Sequence, residues 1–154
     1  MVGEHTGLMY YTLGQRRGLG IGGLKAHSED PWFVATKDLE RNVLVVVQGE
    51  HPLLYSDTAY CEPAAWIAGT PPEAARLRAK TRYRQQDEPC QVQVLDDGGL
   101  AVHFDTPQRA VTPGQSLVLY ADDVCLGGAV IRATATTATG AAEPTSLIGS
   151  ARSA

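Results

Sequence analysis

The sequence predicts a mainly β protein, a small central β-rich domain followed by a six-stranded β-barrel. Three observations carry that expectation. Sixteen glycines and nine prolines in 154 residues are many turn-formers for the length. The apolar stretches between them are short, and the longest, Val43 to Val47, is one strand long. Several of these stretches alternate apolar and polar residues, the period of a half-buried strand.

Taken in order, a Gly-rich loop runs from Gly14 to Gly23 and precedes two strand-like runs. Trp32 to Thr36 and Val43 to Val47 are rich in aromatic and β-branched residues, and the polar Lys37 to Asn42 between them predicts a hairpin. Six further strands are expected at Ala64 to Ile67, Ala75 to Gln85, Cys90 to Leu95, Leu100 to Phe104, Ser116 to Tyr120 and Cys125 to Arg132. Asp96-Asp97-Gly98-Gly99 lies between two alternating runs and signals a hairpin. Thr112-Pro113-Gly114-Gln115 reads as a type II turn, with Pro fixing φ and Gly supplying a positive one. Ala133 to Ala154 is rich in Ala, Thr, Ser and Gly, has no period and no aromatic anchor, and predicts a disordered tail. The expected organisation is therefore a central-domain portion over 1–57, a barrel over 58–132 and a low-complexity tail over 133–154.

Thirteen Lys and Arg against 17 Asp and Glu give a net charge of -4, which excludes a uniformly basic nucleic-acid coat but not a local basic face. No run approaches the roughly 18 to 20 apolar residues of a spanning helix, and the first residues lack the basic and apolar regions of a secretory signal. A cytoplasmic protein with no membrane partner is expected. Cys61, Cys90 and Cys125 are odd in number and widely spaced, so three buried thiols are expected rather than disulfides or a metal site.

The Gly-rich loop lacks the G-x-x-x-x-G-K-[ST] order of a P-loop and has no βαβ context, so close packing against another backbone is the expected use of its glycines. Arg16 and Arg17 within it are a solvated pair that could touch a phosphate. His5, His27, His51 and His103 are scattered, and no Ser or Cys sits in a nucleophile motif, so no catalytic residue is assigned.

The stretch Arg76-Leu77-Arg78-Ala79-Lys80-Thr81-Arg82-Tyr83-Arg84 places a cation at every second position. On a strand, five of the 13 basic residues would then share one face, about 6.6 Å apart. Like charges in a row repel, and a polyanion relieves that repulsion by releasing counterions. A solvated edge strand guarded by charge is the alternative use. Four of the five are arginines, which suit forked phosphate contacts, and this favours RNA.

Several segments together resemble the bacterial tRNA-specific 2-thiouridylases. They are Gly3-Glu4-His5 with Gly7 to Gly23, Pro31-Trp32-Phe33-Val34, Lys80 to Gln85, Val111 to Ser116, and Cys125-Leu126-Gly127-Gly128. The resemblance runs from Gly3 to about Arg132 and implies the family's central domain and its C-terminal barrel, which is similar to the second domain of elongation factor Tu. It implies ATP-dependent 2-thiolation of the wobble uridine in tRNA, with ATP and Mg belonging to an ATP-pyrophosphatase domain and sulfur passing through cysteines outside the matched region. By the resemblance, Arg82, Tyr83 and Gln115 match positions that contact tRNA. Arg84 and Lys80 extend that set as phosphate contacts, from the cation row. Strict alternation sends Arg82 and Tyr83 to opposite faces, which a strand end, twist or bulge would reconcile. The implied partners are tRNA, the ATP-pyrophosphatase domain and a sulfur-relay donor protein. A stand-alone RNA-binding barrel and a protein-docking module for a sulfur-relay partner are the alternative readings.

Overall fold

The computed structural model describes residues 1–21, 29–136 and 146–150. In chain order its strands are β1 (Gly3–His5), β2 (Trp32–Asp38), β3 (Val43–Gln48), β4 (Tyr55–Cys61), β5 (Ala65–Trp66), β6 (Arg76–Lys80), β7 (Glu88–Val94), β8 (Leu100–Arg109), β9 (Ser116–Ala121), β10 (Val124–Ala135) and β11 (Ser146–Ser150). Among the described residues the only helical pieces are two 3-10 turns, and no helix is long and apolar enough to cross a membrane. The protein is mainly β, as its sequence predicts. The chain divides into two compact units, Met1–Tyr55 with Gly140–Ala154, and Ser56–Thr139.

In the first unit the sheet order is β1-β11-β3-β2. The expected hairpin is β2–β3, in register from Trp32↔Gln48 to Asp38↔Val43 with a bulge between Val34 and Thr36. Its turn is tied by Asp38, whose carboxylate accepts from the Arg41 backbone N–H at 2.9 Å. The unbroken apolar run of β3 has a physical reason. Leu44 and Val46 pack into one core with Val34, Tyr11 and Leu19, while Val45 and Val47 pack on the opposite face with Ala35 and Leu54. A strand buried on both faces has no polar side to alternate with. His5 is buried as well: its Nδ1 accepts from the Gly7 N–H at 3.1 Å and its Nε2 faces the Asn42 carbonyl at 3.0 Å, so both ring nitrogens serve the fold.

Two expectations for this unit are corrected. Ser146–Ser150, expected in a disordered tail, is strand β11, antiparallel to β3 through Leu147↔Val45 and parallel to β1 through Glu4↔Gly149. Without it, β3 would leave a row of unpaired N–H and C=O groups, which a short segment such as Ser146-Leu147-Ile148 can satisfy. Ala133 to Ala135 of the expected tail also end strand β10, paired with β4 from Ala133↔Tyr60 to Ala135↔Thr58, while 137–145 and 151–154 lie outside the described residues, as does Gly22-Gly23. Gly18 and Gly20 of the Gly-rich loop are likewise not there for close packing. Gly18 and Gly20 have φ of +75° and +65°, and an added Cβ would meet only the Gln15 side chain at 3.9 Å in the first case and nothing in the second. Those glycines serve the left-handed backbone.

The second unit is a closed barrel. Its sheet runs β4-β8-β7-β6-β9-β10-β5, and an additional β4–β10 pairing joins the ends of a six-stranded ring. The expected β7–β8 hairpin is in register from Cys90↔Phe104 to Val94↔Leu100, and Asp97 in its turn accepts from the Gly99 N–H and pairs with Arg132 at 2.8 Å. Leu77, Leu100, Val102, Leu117, Leu119 and Ile131 fill the interior. The ring differs from the expected one at its first strand. Tyr55–Cys61 supplies it, and Ala64 to Ile67 yields only the two-residue β5, appended outside β10 at Gly127↔Trp66. Ala59 and Cys61 are small and fully buried, so this strand lacks the bulky apolar signal that marks its neighbours.

Candidate nucleic-acid interface

Strand β6 shows the predicted alternation, with Leu77 and Ala79 buried and Arg76, Arg78 and Lys80 on the other face. The expected strand Ala75 to Gln85 stops at Lys80, however. Thr81 is buried and starts a turn. Its hydroxyl donates to Gln85 Oε1 at 2.9 Å, and the Gln85 backbone N–H donates to the Arg82 carbonyl at 3.2 Å. Gln85 Nε2 then donates to Gln108 Oε1 at 2.6 Å, which fastens the turn to β8. Side-chain amides and a hydroxyl thus end the ladder that the cation pattern alone would have continued. Because Arg82 and Tyr83 lie past the strand end, alternation no longer sends them to opposite faces.

The five cations divide into two kinds. Arg76 pairs with Asp105, and Arg78 pairs with Asp87 at 3.1 Å while also donating to the Asp87 carbonyl. The hydrogen bond from Arg78 holds the Asp87 carboxyl below its ordinary range. These two arginines are matched by acids, which corrects the reading of five equivalent cations. The acids come from β8 and from the turn before β7, and the cation pattern does not reveal them. Lys80, Arg82 and Arg84 have no carboxylate partner among the described residues. Lys80 Nζ sits 5.1 Å above the Tyr120 ring, and Arg82 donates to the Ala110 carbonyl at 3.0 Å. That carbonyl also accepts from the Thr112 hydroxyl at 2.9 Å, on a residue whose φ is +54°.

Lys80, Arg82, Tyr83 and Gln115 line one groove of about 510 Å³, together with Ser116 and Tyr120. Arg84 is exposed but is not part of its lining. Tyr83 is 96% exposed, an extreme value for an aromatic ring. Gln115 is placed by the predicted Thr112 to Gln115 turn. Gly114 at φ +88° lets its N–H reach the Ile131 carbonyl at 2.7 Å, and Ile131 returns a bond to the Gln115 carbonyl at 2.8 Å. The Gln115 Oε1 atom is buried and has no hydrogen-bond partner among the described residues. Sequence reasoning alone misses Tyr120 and Ser116. Their signal is the cross-strand register Arg78↔Tyr120 and Lys80↔Val118, legible only once β6 is known to pair with β9. The groove therefore offers two cations, two aromatic faces and a polar amide on a rigid barrel wall, a set suited to a phosphate backbone with an unstacked base.

Two of the three cysteines do not suit sulfur or nucleophilic chemistry. Cys61 and Cys90 are fully buried, and burial pushes their thiols up to about 11 and about 12. Cys125 is exposed, which corrects the expectation of three buried thiols. A register shift in β10 between Cys125 and Gly127 interrupts the alternation that would have turned it inward. Titration of the native protein with a disulfide reagent at neutral pH should give one fast thiol, and three after denaturation. Rapid reaction of all three in the native state would contradict this burial. Among the described residues no three His, Cys, Asp or Glu gather in a way that could hold a metal.

Comparison with known proteins places these two units. Residues 1–48 match the tRNA methyl transferase PRC-barrel domain, and residues 56–131 match the aminomethyltransferase beta-barrel domain. The tRNA-specific 2-thiouridylase MnmA of Chromohalobacter salexigens is 68% identical over 136 residues, 87% of this chain and 35% of that protein. The MnmA of Alcanivorax borkumensis is 62% identical over 137 residues, covering 88% and 38%, and that of Francisella philomiragia 58% over 132 residues, covering 84% and 37%. The chain thus spans a little more than a third of the length of the curated relatives it matches. Two adjoining domain matches and this level of identity establish that the chain belongs to the tRNA-specific 2-thiouridylase family, of which it carries the central and barrel parts.

Proposed function

We propose that this chain is the tRNA-holding portion of a tRNA-specific 2-thiouridylase, and that the groove on the barrel wall grips the tRNA backbone. The single observation that carries the reading is the gathering of Lys80, Arg82, Tyr83 and Gln115 in one groove, while Arg76 and Arg78 are matched by acids. On this reading Lys80, Arg82 and the nearby Arg84 meet phosphates, Tyr83 stacks on a base, and Gln115 supplies a polar contact. Phosphate contacts fix the register of the tRNA while the reaction proceeds elsewhere, in the cytoplasm, with sulfur delivered by a relay protein. ATP with Mg finds no fitting cradle among the described residues. The Gly14 to Gly23 loop follows a 3-10 turn and a coil rather than a strand, and it lacks the Lys-Ser/Thr order that holds nucleotide phosphates. No step of adenylation is assigned to a residue of this chain.

The test is tRNA binding by the 154-residue chain between about 50 and 200 mM salt, range enough to resolve phosphate contacts. Log affinity should fall linearly with log salt. Replacing Arg82 and Arg84 together by alanine should flatten the slope by about 1.4 to 1.8, from roughly 0.7 to 0.9 per phosphate. Arg76→Ala should flatten it less, because Asp105 already neutralises that cation. A slope unchanged in the double variant would remove the groove from the binding reaction.

A further inference from the structure

We propose that the Gly14–Gly20 turn of the first unit is a second RNA-phosphate contact, made by Arg16 and Arg17. This rests on the reading that the chain holds tRNA. The first observation is how the arginines pair. Arg41, Arg76, Arg78 and Arg132 each have a carboxylate partner, whereas Arg16 and Arg17, like Arg82 and Arg84, have none among the described residues. Both are exposed. In a chain of net charge -4, carboxylates are plentiful, so an arginine pair kept clear of them stands out.

The second observation is that the turn carrying them is fixed. Its start is hydrogen-bonded to the edge of β2, with the Gly14 N–H donating to the Val34 carbonyl at 2.8 Å and the Val34 N–H to the Gln15 carbonyl at 3.0 Å. The Gln15 side chain then spans the turn. Its Oε1 accepts from the Thr12 N–H and its Nε2 donates to the Arg17 carbonyl, both at 2.9 Å. Tyr11 and Leu19 are buried on either side and anchor both ends in the core. A turn held in this way presents two guanidinium groups without the entropy cost of ordering a free loop.

The third observation is the open donor surface. The backbone N–H groups of Arg16, Arg17 and Gly18 make no hydrogen bond to another group among the described residues. Gly20 leaves the space beside it empty, and only the Gln15 side chain, at 3.9 Å, borders the space beside Gly18. Forked guanidinium donors next to free backbone N–H groups suit the several acceptor oxygens of a phosphate. A protein partner with an acidic patch would offer the same charge, and the test separates the two.

The experiment measures tRNA affinity against salt for the full chain, R16Q/R17Q, R82Q/R84Q and the fourfold variant. Glutamine keeps a polar side chain of similar reach at each position, and far-UV circular dichroism checks that each variant is folded. R16Q/R17Q should flatten the log–log slope by about 1.4 to 1.8, and the fourfold variant by about twice that. At 0.15 M salt the double variant should bind about 14- to 30-fold more weakly, the factor that a slope change of about 1.4 to 1.8 gives at that salt concentration. If the full chain binds tRNA and loses slope in R82Q/R84Q but not in R16Q/R17Q, the inference is overturned and the groove reading stands. If the full chain does not bind tRNA at all, both fall.

Discussion

Replacing Tyr83 by alanine is expected to weaken tRNA binding by about 5- to 150-fold, and by the same factor at low and at high salt. The range follows from the roughly 1 to 3 kcal/mol that a base stacked on an aromatic ring is worth. The salt independence follows from the lack of charge, since a stacked ring releases no counterion. Tyr83 is suited to this because it contributes almost nothing to the barrel: its ring is 96% exposed, on a turn fastened through Thr81, Gln85 and Gln108. Tyr83→Phe should retain most of the affinity, because the face of the ring and not its hydroxyl makes the contact. Filter binding or fluorescence anisotropy at two salt concentrations checks both variants. A loss in Tyr83→Ala that vanishes at high salt, or no loss at all, would mean that Tyr83 does not stack on RNA. Arg82→Ala should behave in the opposite way, with its penalty shrinking as salt rises.

Much of the fold is legible from pattern, and the failures share a cause. The β7–β8 hairpin is legible because Asp96-Asp97-Gly98-Gly99 encodes its turn locally, and the Thr112 to Gln115 turn is legible because Pro113 and Gly114 encode it. Pattern overextends strand β6 because period-two cations continue past Lys80, while the ending is set by Thr81, Gln85 and Gln108, the last of them on a different strand. Pattern misses strand β4 because its inward residues are small, and β11 because tail composition hides a five-residue strand whose stability comes from the edge of β3. The groove is half legible. The cation row draws attention to Lys80, Arg82 and Arg84, but Asp87 and Asp105, which match Arg78 and Arg76, and Tyr120, which underlies Lys80, arrive by barrel pairing. Local chemistry is written in neighbouring residues, whereas neutralisation and stacking depend on residues that the fold brings in from other strands.

Gly127→Ala is expected to destabilise the barrel by about 3 kcal/mol or more, lowering its melting temperature by roughly 12 °C or more. Two costs add. At φ +145° an alanine is strained whatever the space around it, by about 1 to 3 kcal/mol. Its Cβ would also collide with the Ala65 carbonyl oxygen and sit 3.1 Å from Trp66 Cα. Those atoms are backbone of β5, paired to β10 at Gly127↔Trp66, so relief requires β5 to lift away and surrender its pairing. Gly114→Ala supplies the comparison, because Gly114 has φ +88° and nothing within 4 Å of an added Cβ. It should cost only the backbone strain, about 1 kcal/mol, with a correspondingly smaller fall in melting temperature. Equal shifts in the two variants would show that the approach of β5 to Gly127 carries no weight. The same pair separates fold from function. Gly114 sets the turn that places Gln115 beside the groove, so Gly114→Ala should weaken tRNA binding out of proportion to its small loss of stability. Gly127→Ala, away from the groove lining, should leave the affinity of the folded fraction unchanged.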